Sequence, residues 1–445
     1  MNRLGRAPTA LQRDSYLSGS GAAWFAYVMT VALMLFDYAD RQVVVSLFPF
    51  LKVDWHLSDK ELGALVSVVS VTVAVAGIPI ALLADRTSRV RSIAAMAMLW
   101  SLATVSCMFV RSYGQLFAAR ALVGFGEAGY GSVGAALIAS HFPPRLRGTL
   151  LAGFFASASV GSVIGVALGG TIAARWGWQS AFGVVGIPGL ALALLYLTVR
   201  DYRTEPLPTD GSQRVHMTRP VVTAIVSLVR SRTLRWVCFG AAAQLIVVSS
   251  VWAWLPSFLH RFAGLPPERA ALRAALIVLI GAAGSLVWGA AVDRLGASQG
   301  RRKLRLLATL CLPTAVVLPF AFTAASASAV SPLGGLALIA LGGFVMTCTV
   351  GPVAAVVLDV VHPSLRATGA SVLSLFQNLL GLAIGPLITG ALSDRWGLAA
   401  ALSVMPAFSL VAAVAFMVAS RSYAGEARAQ DSAGPFASER CSAEA

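Results

Sequence analysis

The chain has 445 residues, of which 57% are hydrophobic and only 12% charged. A soluble globular domain carries about twice that charged fraction, so a soluble fold is excluded and a polytopic membrane protein is expected. The formal net charge of +15 does not argue for nucleic acid, because no polar domain is present to carry such a site.

The first segment, 1–22, is polar, with Arg3, Arg6 and Arg13 and no cleavable signal pattern. The apolar run after it is too long for a signal h-region and reads as a retained first helix. Windows of about 20 apolar residues predict twelve spans in an all-α chain. The first six are roughly 23–48, 60–84, 92–110, 114–140, 148–172 and 181–199. The second six are roughly 234–260, 270–292, 304–325, 333–358, 366–391 and 399–420. Two six-helix bundles, 23–199 and 234–420, are thus expected, joined by a polar connector, 200–233, with Arg203, Pro206, Pro208, Arg214 and Arg219. A small, polar and irregular tail, 421–445, follows.

Orientation follows from the distribution of Lys and Arg. Arg86, Arg89, Arg91, Arg145, Arg147, the connector, Arg294, Arg301, Arg302, Lys303 and Arg305 fall on one side. The opposite loops hold fewer, chiefly Lys52, Lys60, Arg111, Arg175, Arg261, Arg269 and Arg395. The positive-inside rule then places both termini in the cytoplasm, in an inner (cell) membrane protein. Trp55, Trp176, Trp178 and Trp396 fall at the outer ends, where interfacial aromatics belong.

The two halves repeat, as transporter halves often do. Gly161-Ser-Val-Ile-Gly165, continuing to Arg175-Trp176-Gly177, is matched by Gly381-Leu-Ala-Ile-Gly385, continuing to Arg395-Trp396-Gly397, at a constant offset of 220 residues. Ala84-Asp85-Arg86 after the second span is matched by Val292-Asp293-Arg294 after the eighth. Carboxylates and arginines at these helix ends (Asp85, Arg86 and Arg89 in one half, Asp293 and Arg294 in the other) can pair across the halves and latch one closed state.

The predicted fourth span carries Arg120 and Glu127 in an otherwise apolar, Gly-rich segment. Seven residues is two helical turns, so both lie on nearly one face, roughly 10 Å apart along the axis. A charge at bilayer depth costs on the order of 2.5–3.5 kcal/mol even on the lenient scale, so each needs a partner or a wet cavity. The first span offers Asp37, Asp40 and Arg41, and no comparable cluster occurs in the second half. Arg120 keeps its proton under ordinary conditions, whereas Glu127, Asp40 and Asp37 can each be neutralised by one. Removal of a carboxyl from water favours its neutral form.

With these motifs in place, the chain resembles the major facilitator superfamily over essentially its whole length. Ala81-Leu-Leu-Ala-Asp85-Arg86-Thr-Ser-Arg89 is similar to that family's signature loop, with Ala81 and Ser88 at two glycine positions. Two subgroups resemble the first half, the Spinster-like group and the anion:cation symporter group. Both carry Tyr-x-Asp-Arg in the first helix, here Tyr38-Ala39-Asp40-Arg41, and Arg and Glu seven apart in the fourth. Gly124-Phe-Gly126-Glu127-Ala128-Gly129-Tyr130 and His141-Phe-Pro143-Pro144-Arg145-Leu-Arg147-Gly148 are more Spinster-like. One departure is Asp37, where Asn commonly precedes the Tyr; a third carboxylate leaves the proton count per cycle open.

The resemblance implies a proton-coupled secondary active transporter working by alternating access, without a cofactor and as a monomer, whose partners are its substrate, protons and membrane lipids. A Spinster-like protein implies a lysolipid-like or amphiphilic anionic substrate. The symporter group implies sugar acids or other small organic anions. Glu127, Asp40 and Asp37 are the expected protonation sites, with Arg120, Arg41 and Tyr38 as counter-charges or substrate contacts. Trp252, Trp254, Phe376, Gln377 and Asn378 are candidates for an apolar cavity face in the second half.

Other readings are weaker. Gly124-x-Gly126-x-x-Gly129 matches the dinucleotide fingerprint, but the strand, βαβ unit and later acid that it requires are missing, so the glycines read as close helix packing. Gly161-x-x-x-Gly165-x-x-x-Gly169-Gly170 resembles the fifth-helix exporter motif with Val166 in place of Pro, and small-residue packing explains it equally well. The five cysteines, Cys107, Cys238, Cys311, Cys348 and Cys441, are scattered without metal-type spacing or a disulfide framework. An intramembrane enzyme would need a nucleophile–base pair or metal ligands within the spans, yet all five histidines lie at or near loops, so no enzymatic activity is expected. A receptor that binds without transporting would leave the repeated Asp-Arg loops unexplained.

Overall fold

The computed structural model describes residues 19–200, 231–296, 299–327, 329–360 and 366–433. Among them there is helix and no strand. The first six predicted spans become α1 (Ser20–Trp55), α2 (Asp59–Arg86), α3 (Arg89–Ser106), the pair α4 (Tyr113–Glu127) and α5 (Tyr130–His141), α6 (Pro144–Trp176) and α7 (Trp178–Tyr196). The second six become α8 (Arg232–Phe262), α9 (Pro267–Gly296), α10 (Gly300–Ser326), α11 (Pro332–Met346) with α12 (Pro352–Val360), α13 (Arg366–Phe376) with α14 (Ile384–Trp396), and α15 (Leu398–Val404) with α16 (Ala407–Ala433). Eleven stretches among the described residues are long and apolar enough to cross a membrane. The remaining predicted span, α3, has only 18 residues, with Arg89 and Arg91 in its first turn.

Four spans expected to be continuous are interrupted, the twelfth by a turn at Met405–Pro406 between α15 and α16. The fourth breaks after Glu127, where Ala128 is extended and Gly129 takes φ +85°. The tenth passes through a 3₁₀ turn at Thr347–Thr349, and the eleventh through a π-helical stretch at Gln377–Leu382. At the far end, residues 421–433 continue α16, so the expected irregular tail is helical there; 434–445 and most of the connector lie outside the described residues.

By packing, the chain divides into two compact units. One comprises Met1–Leu207, Trp252–Leu279 and Pro386–Leu398, the other Pro208–Val251, Ile280–Gly385 and Ala399–Ala445. The first has a core of Trp100, Tyr130, Phe142, Phe154 and Tyr196. The second is built around Val237, Cys238, Leu307, Cys311, Val356 and Phe416. Cys107, Cys238, Cys311 and Cys348 are all buried free thiols.

The repeated glycines do the same work in both halves. A Cβ on Gly161 or Gly165 would overlap the carbonyl oxygens of Leu35 or Ala39, and one on Gly169 would meet Val43 and Ser46. α6 therefore lies directly on the backbone of α1. At the 220-residue offset, a Cβ on Gly381 would press on Leu245 and one on Gly385 on Ile246 and Ser249 of α8. Backbones that approach this closely exclude larger side chains. Gly165→Val is expected to lower stability by about 1–3 kcal/mol, the usual cost of overpacking. The check is the unfolding midpoint of the purified protein in detergent, beside Gly148→Ala, where a Cβ meets nothing.

Candidate functional site

The charged side chains predicted on the first and fourth spans converge. α4 is drawn close to α2 and α3 because a Cβ on Gly124 would overlap Val69 and Thr72, and one on Gly126 would crowd Trp100. These two glycines serve close packing, as expected. Gly129 serves another purpose, since its positive φ makes the break that ends α4 at Glu127.

Two ion groups result. Arg120 Nη1 donates to both carboxyl oxygens of Asp40 at 3.3 Å and lies 3.4 Å from the Asp40 carbonyl oxygen. Thr104 of α3 donates to Asp40 Oδ2 at 2.8 Å, and both members of the pair are buried. The second group centres on Arg41, whose Nε is 2.8 Å from Glu127 Oε2 and 3.5 Å from Asp37 Oδ1. Its guanidinium sits over the Tyr38 ring, 5.4 Å from the centroid, in cation–π range. The side chain of Arg41 keeps 17% of its surface exposed, against 1% for Arg120. Of the two guanidiniums, Arg41 is the more exposed.

The groups differ in how well they are satisfied. Asp40 accepts from both Thr104 and Arg120. Glu127 Oε1 and Oε2, Asp37 Oδ1 and Arg41 Nε are buried without a well-directed hydrogen bond. α4 also ends at Glu127, where the partial negative charge of the helix dipole collects, so an ionised Glu127 is opposed from its own backbone.

The other predicted site residues are spread out. The side chains of Asp85 and Arg86 lie outside the described residues. Arg89 is half-buried in the first turn of α3. Asp293 and Arg294 are exposed, and Asp293 pairs locally with Lys303 at 3.6 Å. Trp252 is half-buried, whereas Trp254 is fully buried, with its ring 5.0 Å from that of Phe48 and its indole donating to the Pro386 carbonyl. In the other unit, half-buried Phe376 packs on the core, and Gln377 and Asn378 open the π-helical stretch. Such bulges in α-helices are frequent at functional sites.

Two features were not anticipated. Thr104 buttresses Asp40, and no periodicity marks it. The second is an ionic hub on Asp59 at the start of α2. Arg261 grips its carboxylate bidentately at 2.7 Å, and Lys52 and Ser393 also donate to it. Asp394 in turn accepts the backbone amides of Asp59 and Lys60 at 2.8 and 2.9 Å, capping α2. A signal was available, because Leu57-Ser58-Asp59-Lys60 and Leu392-Ser393-Asp394-Arg395 are nearly the same tetrapeptide. Nearby, Trp178 is buried, donates to Asp54 and stacks edge-on with Trp55. It is a packed residue, whereas Trp176 and Trp396 are exposed as interfacial aromatics would be.

The sequence profile described as Major Facilitator Superfamily matches residues 30–386. The chain belongs to the major facilitator superfamily. The chain is 26% identical over 403 residues to protein spinster of Drosophila melanogaster, covering 88% of its own length and 65% of that protein's. It thus spans just under two thirds of that relative. It is 29% identical over 415 residues to an MFS-type efflux pump of Mycolicibacterium smegmatis, covering 91% and 94% of the two chains. Its fold matches the crystal structure of a bacterial homolog to the human lysosomal transporter Spinster, with TM-score 0.79, 21% identity and coverage of 92% and 99%. The expected all-α, twelve-span transporter architecture is therefore the fold of this multi-pass membrane protein.

Proposed function

We propose that this protein is a proton-coupled secondary active transporter that works by alternating access and moves an amphiphilic organic anion or lysolipid-like substrate. The observation that carries this reading is the buried cluster on α1 and α4, where three carboxyls face two guanidiniums in the first half of the chain. Buried charge of this kind inside a membrane fold is costly and marks ion pathways. The similarity to spinster proteins supports the Spinster-like substrate class.

Arg41, the more exposed guanidinium, contacts the anionic head. Asp37, Asp40 and Glu127 are the candidate proton carriers, and Arg120 is a counter-charge. Tyr38 lines the Arg41 side of the site. Asp85, Arg86 and Arg89, with Asp293 and Arg294, act at the gate on the basic side, which is cytoplasmic together with both termini. The working unit is a monomer in the inner membrane.

The test uses purified protein in liposomes under an imposed pH gradient, with a labelled lysolipid and a labelled sugar acid followed side by side. Gradient-dependent lysolipid flux, lost in Glu127→Gln while the variant stays folded, is the expected result. Sugar-acid flux in its place would assign the protein to the small-anion class, with Arg41 as a carboxylate clamp. Unaltered pH-dependent flux in Glu127→Gln would remove that residue from the coupling.

A further inference from the structure

The cluster contains one carboxylate too many. Asp40 and Arg120 form a closed one-to-one pair, and Thr104 completes it. Arg41 must serve both Asp37 and Glu127. Those two carboxyls converge on the same Arg41 Nε, at 3.5 and 2.8 Å, and three of their four oxygens are buried without a directed partner. Two carboxylates held apart by nothing but one guanidinium carry an uncompensated buried negative charge, the arrangement in which one proton binds to the pair.

We propose that Asp37 and Glu127 together hold a single proton beside Arg41, and that Asp40 stays ionised against Arg120 and carries none. This rests on the proton-coupled reading above and refines it to one exchangeable proton per cluster. A proton between the two carboxyls supplies the donor that their orphaned oxygens lack and leaves Arg41 balanced by one remaining negative charge. Loss of that proton to water restores the excess charge and drives Arg41 toward both carboxylates. The titratable and charged groups facing the pair are Arg41 and Tyr38 on the same helix, Asp40 with its partner Arg120, and Tyr130 of α5. Tyr130 is committed to the Thr30 carbonyl oxygen and does not compete for the proton.

An unusual consequence separates this from a proton held by Glu127 alone. Removing either carboxyl leaves one carboxylate for Arg41, so either substitution should abolish proton binding. The experiment follows the infrared C=O stretch of protonated carboxylic acids while the full-length protein in detergent is titrated, with no substrate and no gradient. Wild type is expected to show one buried acid that titrates, and Asp37→Asn and Glu127→Gln should each lack it. Survival of the band in Asp37→Asn would overturn the sharing, as would survival in both variants, a wild-type amplitude of two acids, or no band in wild type. Circular dichroism establishes folding of each variant, and because only a change at Asp37 separates sharing from a proton on Glu127 alone, Asp37→Ser takes the place of Asp37→Asn if the latter does not fold. Because protonation is read without transport, absence of flux with the band intact would count against the transport reading and leave the shared proton standing.

Discussion

Arg120→Leu is expected to destabilise the protein by about 3–5 kcal/mol, because it strips a fully buried carboxylate of its counter-ion. Asp40 would keep only the Thr104 hydroxyl, which also lies 2.9 Å from the Trp100 carbonyl oxygen and has a single proton to give. The double variant Arg120→Leu/Asp40→Leu should recover much of that loss, since a buried ion pair replaced by apolar side chains of similar volume is often neutral. Thermal unfolding in detergent of the wild type, both single variants and the double gives the full cycle. Recovery would identify the pair as a balanced structural element of the α1–α4 interface. A double variant no more stable than Arg120→Leu would mean that the charges themselves hold these helices.

The second large effect is expected at Asp59. Asp59→Ala leaves the Arg261 guanidinium and the Lys52 ammonium facing each other around an empty position and frees the Ser393 hydroxyl. The carboxylate is buried, but Arg261 and Lys52 keep 26% and 39% of their side-chain surface in contact with solvent. Screening therefore reduces the loss to about 1–3 kcal/mol, the range for an unsatisfied hydrogen-bonding group. Asp59 and Lys52 come from the first six spans, and Arg261 and Ser393 from the second six. The hub thus ties the two repeats together at the end opposite the basic loops. Combining Asp59→Ala with Arg261→Gln in a double-mutant cycle should give a coupling of about 0.5–3 kcal/mol. A coupling near zero would show that the bidentate contact contributes nothing to stability.

The sequence announced the central cluster because charge inside an apolar span is rare and expensive, and the seven-residue spacing of Arg120 and Glu127 put both on one face. It could not say which carboxylate each arginine would take. Arg120 pairs with Asp40, and Arg41 turns to Glu127 and Asp37, a choice made by how α1, α3 and α4 pack. The interruption after Glu127 was hidden because the apolar pattern runs through Ala128 and Gly129 unbroken, and only the positive φ at Gly129 reveals it. The Asp59 hub was hidden for the opposite reason. Loop charges are abundant and usually solvated, so Lys52, Lys60 and Arg261 read as markers of topology, and Asp59 drew no notice. The glycine repeat, by contrast, was legible from spacing alone, because close backbone contact between helices tolerates no other residue.

The burial of Cys107, Cys238, Cys311 and Cys348 makes this chain well suited to distance measurements by site-directed probes. Each of these four thiols lies inside the packed helices, where a bulky reagent does not reach it, so replacing Cys441, the fifth cysteine, prepares a background with little unwanted labelling. Pairs of spin labels or fluorophores introduced near Asp59 and near Arg89 then report motion at the two ends of the same molecule, with the interior left as nature packed it.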